Sequence, residues 1–282
     1  MKCLTPRVIK TPIYNSACQI IKHDMYLVPC GHCVGCLKQD QIDWSLRLKL
    51  EAESSISSYF VTLTIEDGQL DNVNLCKKDY QDFLKRLRER VRYEYNKRHL
   101  INVSLRFFGV GEYGRKNNRP HYHFMLYNIP LHDKRQVHKL CCECWPYGFV
   151  YVEDCNDETC GYIAKYLTKL DPRPHAVESF RTMSLRPALG YQWFLDHSQV
   201  LSVIEQNKKP VLHLRNGKCY SLPRSVKRKF LSIDTQLDIR DFACIDESKL
   251  DADWWSHFHH CKELGRQANK VAFERLNRRF QV

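Results

Sequence analysis

Two histidines at alternate positions, His121 and His123, are residues whose type and spacing suggest chemistry. They lie in the run Pro-His-Tyr-His-Phe-Met-Leu-Tyr, which has the composition of a β-strand. Because side chains alternate between the two faces of a strand, both imidazoles are expected on one face and Tyr122 on the other. Paired imidazoles can hold a divalent metal ion, and such an ion beside a sheet can polarise a phosphoryl oxygen. Two half-exposed histidines on an edge strand are the alternative interpretation.

Two tyrosines downstream, Tyr162 and Tyr166, are the second candidate pair. They are four residues apart in a predicted helix, so they stack on one helical face, and Lys165 and Lys169 each follow a tyrosine by three residues. A metal ion and cationic lysines favour the phenolate and offset charge on a phosphodiester, which permits a covalent phosphotyrosine link. Two tyrosines permit two successive transfers. A helix that uses tyrosines to cover its sheet is the alternative.

The run Cys-Gly-His-Cys-Val-Gly-Cys is a candidate for a different kind of metal site. Its cysteines, Cys30, Cys33 and Cys36, are three residues apart with glycines between them, which is typical of the turn that directs thiolates at a structural zinc ion. A tetrahedral site needs a fourth ligand, and either Cys3 or His32 could supply it. Reduced cysteines at the start of a helix are the alternative interpretation.

Composition points to a folded protein with a polyanionic partner. The 282 residues are 43% hydrophobic, which is enough for a core, and the net charge of +12 makes nucleic acid the default partner. The sequence has no run of about eighteen apolar residues and no apolar segment behind its first residues, so neither a membrane span nor a secretory signal is expected. We therefore expect a cytoplasmic protein, in which fourteen cysteines are thiols or zinc ligands rather than disulfides.

The elements that must position these residues follow from hydrophobic periodicity. It predicts strands at 59–65, 102–110, 120–127 and 147–152, and helices at 37–53, 77–98, 132–144 and 157–170. Their order predicts an α+β fold with a central antiparallel sheet of ferredoxin-like or RRM-like topology, flanked by helices. The first and third strands of that topology are central, so the two histidines are predicted to lie in the middle of the sheet.

The ends of the chain are predicted to lie outside this sheet. The first 26 residues, which include Pro6 and Pro12, show no sustained period and are expected to be irregular. The proline-rich run at 171–174 is the best candidate boundary, and a hairpin is expected at Asn216-Gly217. We expect a cysteine-rich segment with a candidate zinc site and a helix at 1–55, a core at 56–172 and a basic C-terminal extension at 173–282, which packs on the core and contacts DNA.

Basic residues in two places are candidate phosphate contacts, which position DNA without reading its sequence. They are Arg115, Lys116 and Arg119 in the loop before the histidine strand, and Arg224, Lys227, Arg228 and Lys229 in a later basic run.

The chemical motifs, in this order, resemble those of the HUH superfamily of rolling-circle replication initiators. The resemblance rests on the strand Phe-Val-Thr-Leu-Thr, on His121-Tyr122-His123, and on Tyr162-x-x-x-Tyr166 with Lys165. More narrowly, the chain resembles the initiators of small single-stranded DNA bacteriophages of the microvirus family, especially the gokushovirus branch. The residues that carry this likeness are the early Met-x-Cys, the cysteine run with Trp44 and Arg47 after it, Gly-Glu-Tyr-Gly at 111–114, Met-Ser-x-Arg-Pro at 183–187 and Leu-Pro-Arg at 222–224.

The resemblance implies a site-specific endonuclease and strand-transferase that nicks the phage origin. One tyrosine would attack the phosphodiester, keep the 5′-phosphate and leave a free 3′-hydroxyl for a host polymerase. The second would cut the regenerated origin, and the released hydroxyl would reseal the displaced circle. Activity would take place in the cytoplasm of the bacterial host, with a host helicase, because the sequence contains no phosphate-binding Gly-x-x-x-x-Gly-Lys-Ser/Thr loop.

The resemblance also implies a metal site made by His121, His123 and Glu112. Related initiators place an acidic residue on the strand beside the histidines, and Glu112 precedes the histidine strand across the hairpin loop. An exposed loop glutamate is the competing interpretation. The expected ion is Mg²⁺ or Mn²⁺, since Mg²⁺ is abundant in cells and imidazole ligands suit Mn²⁺ at least as well.

Two other functions stay open at this point. A non-catalytic, zinc-dependent DNA-binding regulator would need the basic charge and the cysteines but neither tyrosine. An HUH-type transposase or a relaxase for plasmid mobilisation would use the same chemistry and differ in its DNA substrate.

Overall fold

The computed structural model describes residues 3–66, 74–114, 118–166, 177–214, 217–241, 244–245 and 252–280. In chain order, its elements are β1 (Arg7–Tyr14), β2 (Ile20–Val28), α1 (Val34–Glu53), β3 (Ser58–Ile65), α2 (Lys77–Lys97), β4 (Arg106–Tyr113), β5 (Pro120–Tyr127), α3 (Lys134–Cys144), β6 (Gly148–Asp154), α4 (Asp157–Lys165), β7 (Phe180–Met183), α5 (Tyr191–Asp196), α6 (Ser198–Asn207), β8 (Val211–His213), β9 (Cys219–Ser221), α7 (Arg224–Phe230), α8 (Ile233–Asp241), β10 (Cys244–Ile245) and α9 (Ala252–Phe280). The chain divides into two compact units, one comprising Trp44–Asp196 and the other Met1–Asp43 with His197–Val282. The segment boundaries expected from the sequence stay predictions.

The first unit, Trp44–Asp196, is built on a five-stranded sheet in the order β6-β3-β5-β4-β7, and every pair of neighbours is antiparallel. The predicted α+β class, with a central antiparallel sheet flanked by helices, is confirmed. Strands β3 and β5 are central, as the ferredoxin-like order requires, so the histidine strand lies in the middle of the sheet. The fifth strand, β7, was not anticipated by the periodicity because it is four residues long.

One face of this sheet carries the larger hydrophobic core. Alternate residues of β3, including Val61 and Leu63, point to this face and are fully buried. Helix α2 covers them with an apolar stripe at helical spacing, which the sequence predicted and which is buried in the structure: Tyr80, Phe83, Leu84, Leu87, Val91 and Tyr95. Helix α3 adds Val137 and Leu140 to the same core.

The opposite face of the sheet is covered only in part by the described residues. A second apolar cluster forms where Trp44 and Leu48 of α1 and Ile163 of α4 pack with Phe60 of β3 and Met125 of β5. Beyond this cluster, along β3 and towards the hairpin end of β5, the same face carries polar residues that are only half-buried. This half-buried part of the face holds the candidate site.

Strand β4 corrects the predicted strand bounds. It starts at Arg106 rather than at 102 and continues to Tyr113, so that Glu112 belongs to the strand and not to the loop. Its glycines hid this continuation, because glycine is depleted in strands. A Cβ atom at Gly109 would lie 2.6 Å from the ring of Phe124, and one at Gly111 would lie 2.9 Å from the ring of Phe180. Both glycines therefore make room for aromatic rings.

The other unit contains a three-stranded sheet in the order β1-β2-β10 and the hairpin of β8 and β9. The prediction of an irregular N-terminal segment is wrong, because β1 and β2 pair antiparallel in a long hairpin. Pro12 is tolerated because β1 is at the edge of its sheet. The predicted hairpin at 216–217 agrees with the pairing of β8 and β9, although Asn216 itself lies outside the described residues.

Within the described ranges, every helix is too short or too polar to cross a membrane.

Candidate active site and cysteine cluster

The two histidines share one face of β5, at the border between the covered and the half-buried part of the sheet. His123 is buried and His121 is half-buried. Their rings are stacked, with centroids 6.2 Å apart and planes inclined by 11°. Gly114 gives the first ring its space, because a Cβ atom there would lie 2.9 Å from Cε1 of His121.

Glu112 reaches the same face from the neighbouring strand. It lies directly opposite His121 in the register of β4 and β5, and residues in such a pair share a face. The side chain is buried, and its Oε1 lies 3.2 Å from Nε2 of His123. The structure therefore contradicts the interpretation of Glu112 as an exposed loop residue.

Each histidine is held through its outer nitrogen by a group that the sequence interpretation missed. Nδ1 of His123 lies 3.0 Å from Oγ1 of Thr62, the opposite residue on β3. Nδ1 of His121 donates to the carbonyl oxygen of Arg119 at 2.7 Å, which leaves Nε2 with a lone pair. Burial lowers the pKa of His121, and the neighbouring His123 lowers it further, against the effect of the Arg119 carbonyl. The neutral imidazole, which is the form that binds a metal, is favoured.

These residues fit a metal ion in the chemistry of their donors. Metal-binding histidines usually give their second nitrogen to a carbonyl or another polar partner, as both do here. Imidazole and carboxylate donors together suit Mn²⁺, and the carboxylate suits Mg²⁺. The ligand atoms are not gathered into a closed cluster: among the described residues, the group of three or more ligand atoms lying within 4.8 Å of one another is that of the cysteines.

Helix α4 brings both tyrosines to His123. Its N-terminus has a capping box, in which the Asn156 side chain accepts hydrogen bonds from the amides of Glu158 and Thr159 and the Thr159 hydroxyl accepts one from the amide of Asn156. Tyr162 lies on the helix with 44% of its surface exposed. Tyr166 follows at the C-cap and is half-buried.

The tyrosine rings surround His123 at two angles. The ring of Tyr166 stacks on that of His123 with centroids 4.7 Å apart, and the ring of Tyr162 meets it edge-on at 6.0 Å. The two tyrosine hydroxyls are hydrogen-bonded to each other. Burial and the nearby Glu112 carboxylate raise the pKa of Tyr166 above its ordinary value. Two hydroxyls, two imidazoles and a carboxylate thus lie together on one part of the sheet.

The predicted basic residues are placed differently from one another. Lys165 is exposed on the last turn of α4, whereas Lys169, Arg115 and Lys116 lie outside the described residues. Arg119 is half-buried beside the histidine strand. The remaining candidates lie on α7 in the other unit; of these, Arg224, Arg228 and Lys229 are exposed, while Lys227 is half-buried and burial lowers its pKa.

The four cysteines proposed as ligands form a compact cluster. The sulfur atoms of Cys3, Cys30, Cys33 and Cys36 all lie within 4.8 Å of one another. The Cys30–Cys36 and Cys3–Cys33 pairs are each separated by 3.8 Å. Zinc–sulfur bonds of about 2.3 Å in a tetrahedron place the sulfurs about 3.8 Å apart, so the cluster has the size of a zinc site. Cys3 takes the fourth position, since Nε2 of His32 is 2.9 Å from the guanidinium of Arg7.

Hydrogen bonds to the sulfurs stabilise the thiolate form. The amides of Leu4 and Cys30 donate to the sulfurs of Cys33 and Cys3, and the Thr5 hydroxyl donates to that of Cys30. Burial raises the pKa of Cys30, but the bonds from Thr5 and from backbone amides outweigh it and bring the pKa to about 5. Burial and the neighbouring thiols raise the pKa of Cys36 to about 12. Without a cation, the four thiols therefore do not ionise together.

Known proteins resemble the part of the chain that contains the sheet site. A family model for replication-associated proteins of the ORF2 type matches residues 58–171. Replication-associated protein ORF4 of Chlamydia phage 1 is 27% identical over 77% of this chain, and ORF2 of Spiroplasma virus 4 is 27% identical over 61%. Replication-associated protein VP4 of Bdellovibrio phage phiMH2K is 25% identical over 71%. The resemblance to phage replication initiators of the gokushovirus type is confirmed.

These similarities have limits in coverage. The matches span 58%, 58% and 66% of the lengths of the three phage proteins. Among solved structures, the hypothetical protein ORF119 of Sulfolobus islandicus rod-shaped virus 1 matches 45% of this chain and 96% of its own, at 19% identity and a TM-score of 0.29. That score is too low to support the fold, which is described from the chain's own structure.

Sequence reasoning missed the groups that hold the site residues in place. Thr62 sits in a strand rich in β-branched residues, and only the register with His123 gives its hydroxyl a role. The carbonyl of Arg119 has no signature in a sequence. Asn156 could have been found, since an Asn three residues before a Thr at a helix start is a capping signal.

Proposed function

We propose that this chain is a metal-dependent, site-specific DNA endonuclease and strand-transferase that initiates and terminates rolling-circle replication of a small single-stranded DNA phage. The observation that supports it most is the position of both tyrosines against His123, one stacked on the ring at 4.7 Å and the other hydrogen-bonded to the first. The similarity to phage replication-associated proteins supports the same biological role.

The proposed metal ligands are His121, His123 and Glu112. A Mg²⁺ or Mn²⁺ ion bound there would supply positive charge that polarises the scissile phosphate and stabilises the charge that develops on it. Thr62 and the Arg119 carbonyl keep the two imidazoles oriented. The half-buried setting lowers the pKa of His121, so that it remains neutral at physiological pH.

The proposed reaction is a transesterification at phosphorus. The oxygen of Tyr162 or Tyr166 forms a bond to phosphorus while the bond between phosphorus and the 3′ oxygen breaks. The phenol's proton ends on the 3′ oxygen, so that the step needs no further reactant. The 5′-phosphate is retained on the tyrosine, and the second tyrosine repeats the step when the origin is regenerated. Lys165 and Lys169 are proposed to offset phosphate charge during both transfers.

The cysteine cluster is proposed to hold one structural Zn²⁺. Its sulfur separations of 3.8 Å and its hydrogen bonds to the sulfurs fit that ion. The segments keep the roles expected from the sequence, with 1–55 as the zinc-binding segment, 56–172 as the nuclease core and 173–282 as a DNA-contacting extension. Arg115, Lys116, Arg119 and the basic residues of α7 are proposed phosphate contacts, and a host helicase and polymerase are proposed partners in the host cytoplasm.

A covalent-adduct assay tests this function. The substrates are single strands that tile the phage origin, labelled at the 3′ end so that the label stays with the phosphotyrosine. Wild type is compared with Tyr162→Phe, Tyr166→Phe and the pair His121→Ala with His123→Ala, and Tyr93→Phe, a substitution of an exposed residue of α2, is the matched control. We expect a labelled protein band on a denaturing gel that requires metal, disappears in the histidine variant and weakens in either site tyrosine variant.

The same assay separates the alternatives. If no adduct forms with any strand, while DNA binding is tight and is lost on Cys30→Ser, the chain is a zinc-dependent DNA-binding module. If adducts form with plasmid transfer origins or transposon ends and not with phage strands, the chemistry stands and the biological role is relaxase or transposase. A band that survives both histidine substitutions contradicts the proposed metal site.

A further inference from the structure

Two large aromatic side chains are exposed on the edge strand beside the candidate site. Phe149 and Tyr151 of β6 have 58% and 56% of their surface exposed. The residues between and after them, Val150 and Val152, point the other way and pack against the core under α2 and α3. The strand thus turns its aliphatic side to the core and its aromatic side outwards.

Strand register places these rings in line with the two histidines. Phe149 is opposite Thr64, and Thr64 is opposite His121 on the next strand. Tyr151 is opposite Thr62, which is opposite His123. Directly opposed residues of antiparallel strands share a face, so each ring lies in one row with one histidine. Two strand spacings, about 10 Å, separate the members of each row.

The surface between the rings and the histidines is only lightly covered by the described part of the chain. Thr62 and Thr64 are half-buried, and their small side chains leave room above the sheet. The apolar cluster that packs on this face involves Phe60 and Met125, one step further along the strands. A single exposed aromatic residue is ordinary on a protein surface. Two at successive outward positions, continuous with a candidate active site, form a surface suited to flat aromatic ligands.

We propose that Phe149 and Tyr151 form a stacking platform for the bases of single-stranded DNA next to the scissile phosphate. The proposal rests on the proposed function for its ligand. Unpaired bases stack on aromatic side chains with little dependence on sequence, whereas bases inside a duplex have no free face. The net charge of +12 favours a polyanion over an apolar partner. The platform would hold the strand while His121, His123 and the tyrosines face its backbone.

The first test is binding of a fluorescent single strand of randomised sequence, measured by anisotropy without added metal. Phe149→Ala with Tyr151→Ala is expected to weaken binding about five-fold or more for each ring removed. Phe149→Tyr with Tyr151→Phe keeps both rings and is expected to bind like wild type. Tyr93→Ala removes a ring of equal exposure, 56%, from α2 and is expected to have no effect. Circular dichroism checks that each variant is folded.

The adduct assay distinguishes failure of the platform from failure of the nuclease. The alanine pair is expected to raise the DNA concentration for half-maximal adduct formation while the rate at saturation stays near that of wild type. A wild type that forms adducts, with an alanine pair that binds single strands equally well, overturns the platform. Loss of self-association in the alanine pair with unchanged DNA affinity also overturns it, in favour of a second copy of the chain. Loss of single-strand affinity in a protein that forms no adduct supports the platform and overturns the nuclease.

Discussion

The four cysteine sulfurs lie within 4.8 Å of one another, whereas the rings of His121 and His123 are 6.2 Å apart and the carboxylate of Glu112 lies against the second of them. The cysteines come from loops and a helix start, where backbone amides can point at sulfur. The histidines and the glutamate come from two neighbouring strands, which fix the positions of their backbones and leave the side chains some freedom.

This difference matches the two uses that proteins make of metal ions. Structural zinc sites fill all four positions with protein ligands, and catalytic sites keep a position for substrate. The cysteine cluster offers four sulfurs of its own, while the histidine site offers three ligands and borders a half-buried polar surface. We therefore expect metal at the first site to contribute to folding, and metal at the second to contribute to reaction rate.

Removal of metal with EDTA is the sharpest way to separate the two sites. We expect adduct formation to fall about 10³-fold, because a metal that polarises phosphate contributes several kcal/mol. Mn²⁺ or Mg²⁺ should restore it, with the zinc content and Tm unchanged throughout. A drop in Tm with activity retained would mean that the two sites have exchanged roles.

Substitution within the cysteine cluster should have the opposite signature. Cys30→Ser is expected to eliminate bound zinc and to lower Tm by roughly 10 °C, since each kcal/mol lost costs about 2–4 °C in a unit of this size. Cys18→Ser, which changes an exposed cysteine of the same unit, is the control. Zinc content and Tm are measured by atomic absorption and calorimetry. Equal Tm values for the two variants would rule out a structural zinc.

Loss of the Thr62 hydroxyl should weaken the histidine site without emptying it. Thr62→Val removes the partner of His123 Nδ1 and keeps the shape of the side chain. We expect Mn²⁺ affinity to fall about 10- to 100-fold. Thr62→Ser keeps the hydroxyl and should bind Mn²⁺ like wild type, as followed by titration of adduct formation. An unchanged affinity in the valine variant would show that the strand alone orients His123.

The smallest expected effect is at the cap of the tyrosine helix. Asn156→Ala removes the acceptor for two backbone amides and should cost about 1 kcal/mol, or about 2–4 °C in Tm. Asn156→Asp keeps an accepting oxygen and is the control. Thermal unfolding followed by circular dichroism measures both. If alanine and aspartate give the same Tm, the capping box does not stabilise α4.

The sequence predicted the parts of the molecule that depend on local pattern. The apolar stripe of α2 and the alternation of β3 were sufficient for the sheet order, and spacing alone placed His121 with His123 and Tyr162 with Tyr166. The N-terminal hairpin escaped because a strand pair without a fully buried face shows no clear alternation. The position of Glu112 inside β4 escaped because Gly109 and Gly111 resemble the end of a strand, and their reason, the rings of Phe124 and Phe180, is tertiary.

The hydroxyl of Thr62 gives His123 a choice of tautomer. A hydroxyl can donate or accept by rotating about its C–O bond. While Nε2 of His123 faces the Glu112 carboxylate, that nitrogen carries the hydrogen and Nδ1 accepts from Thr62. When Nε2 must present a lone pair to a cation, the hydrogen can reside on Nδ1 and Thr62 can accept it. One rotating hydroxyl thus lets the imidazole alternate between an ion pair and coordination while the sheet stays as it is.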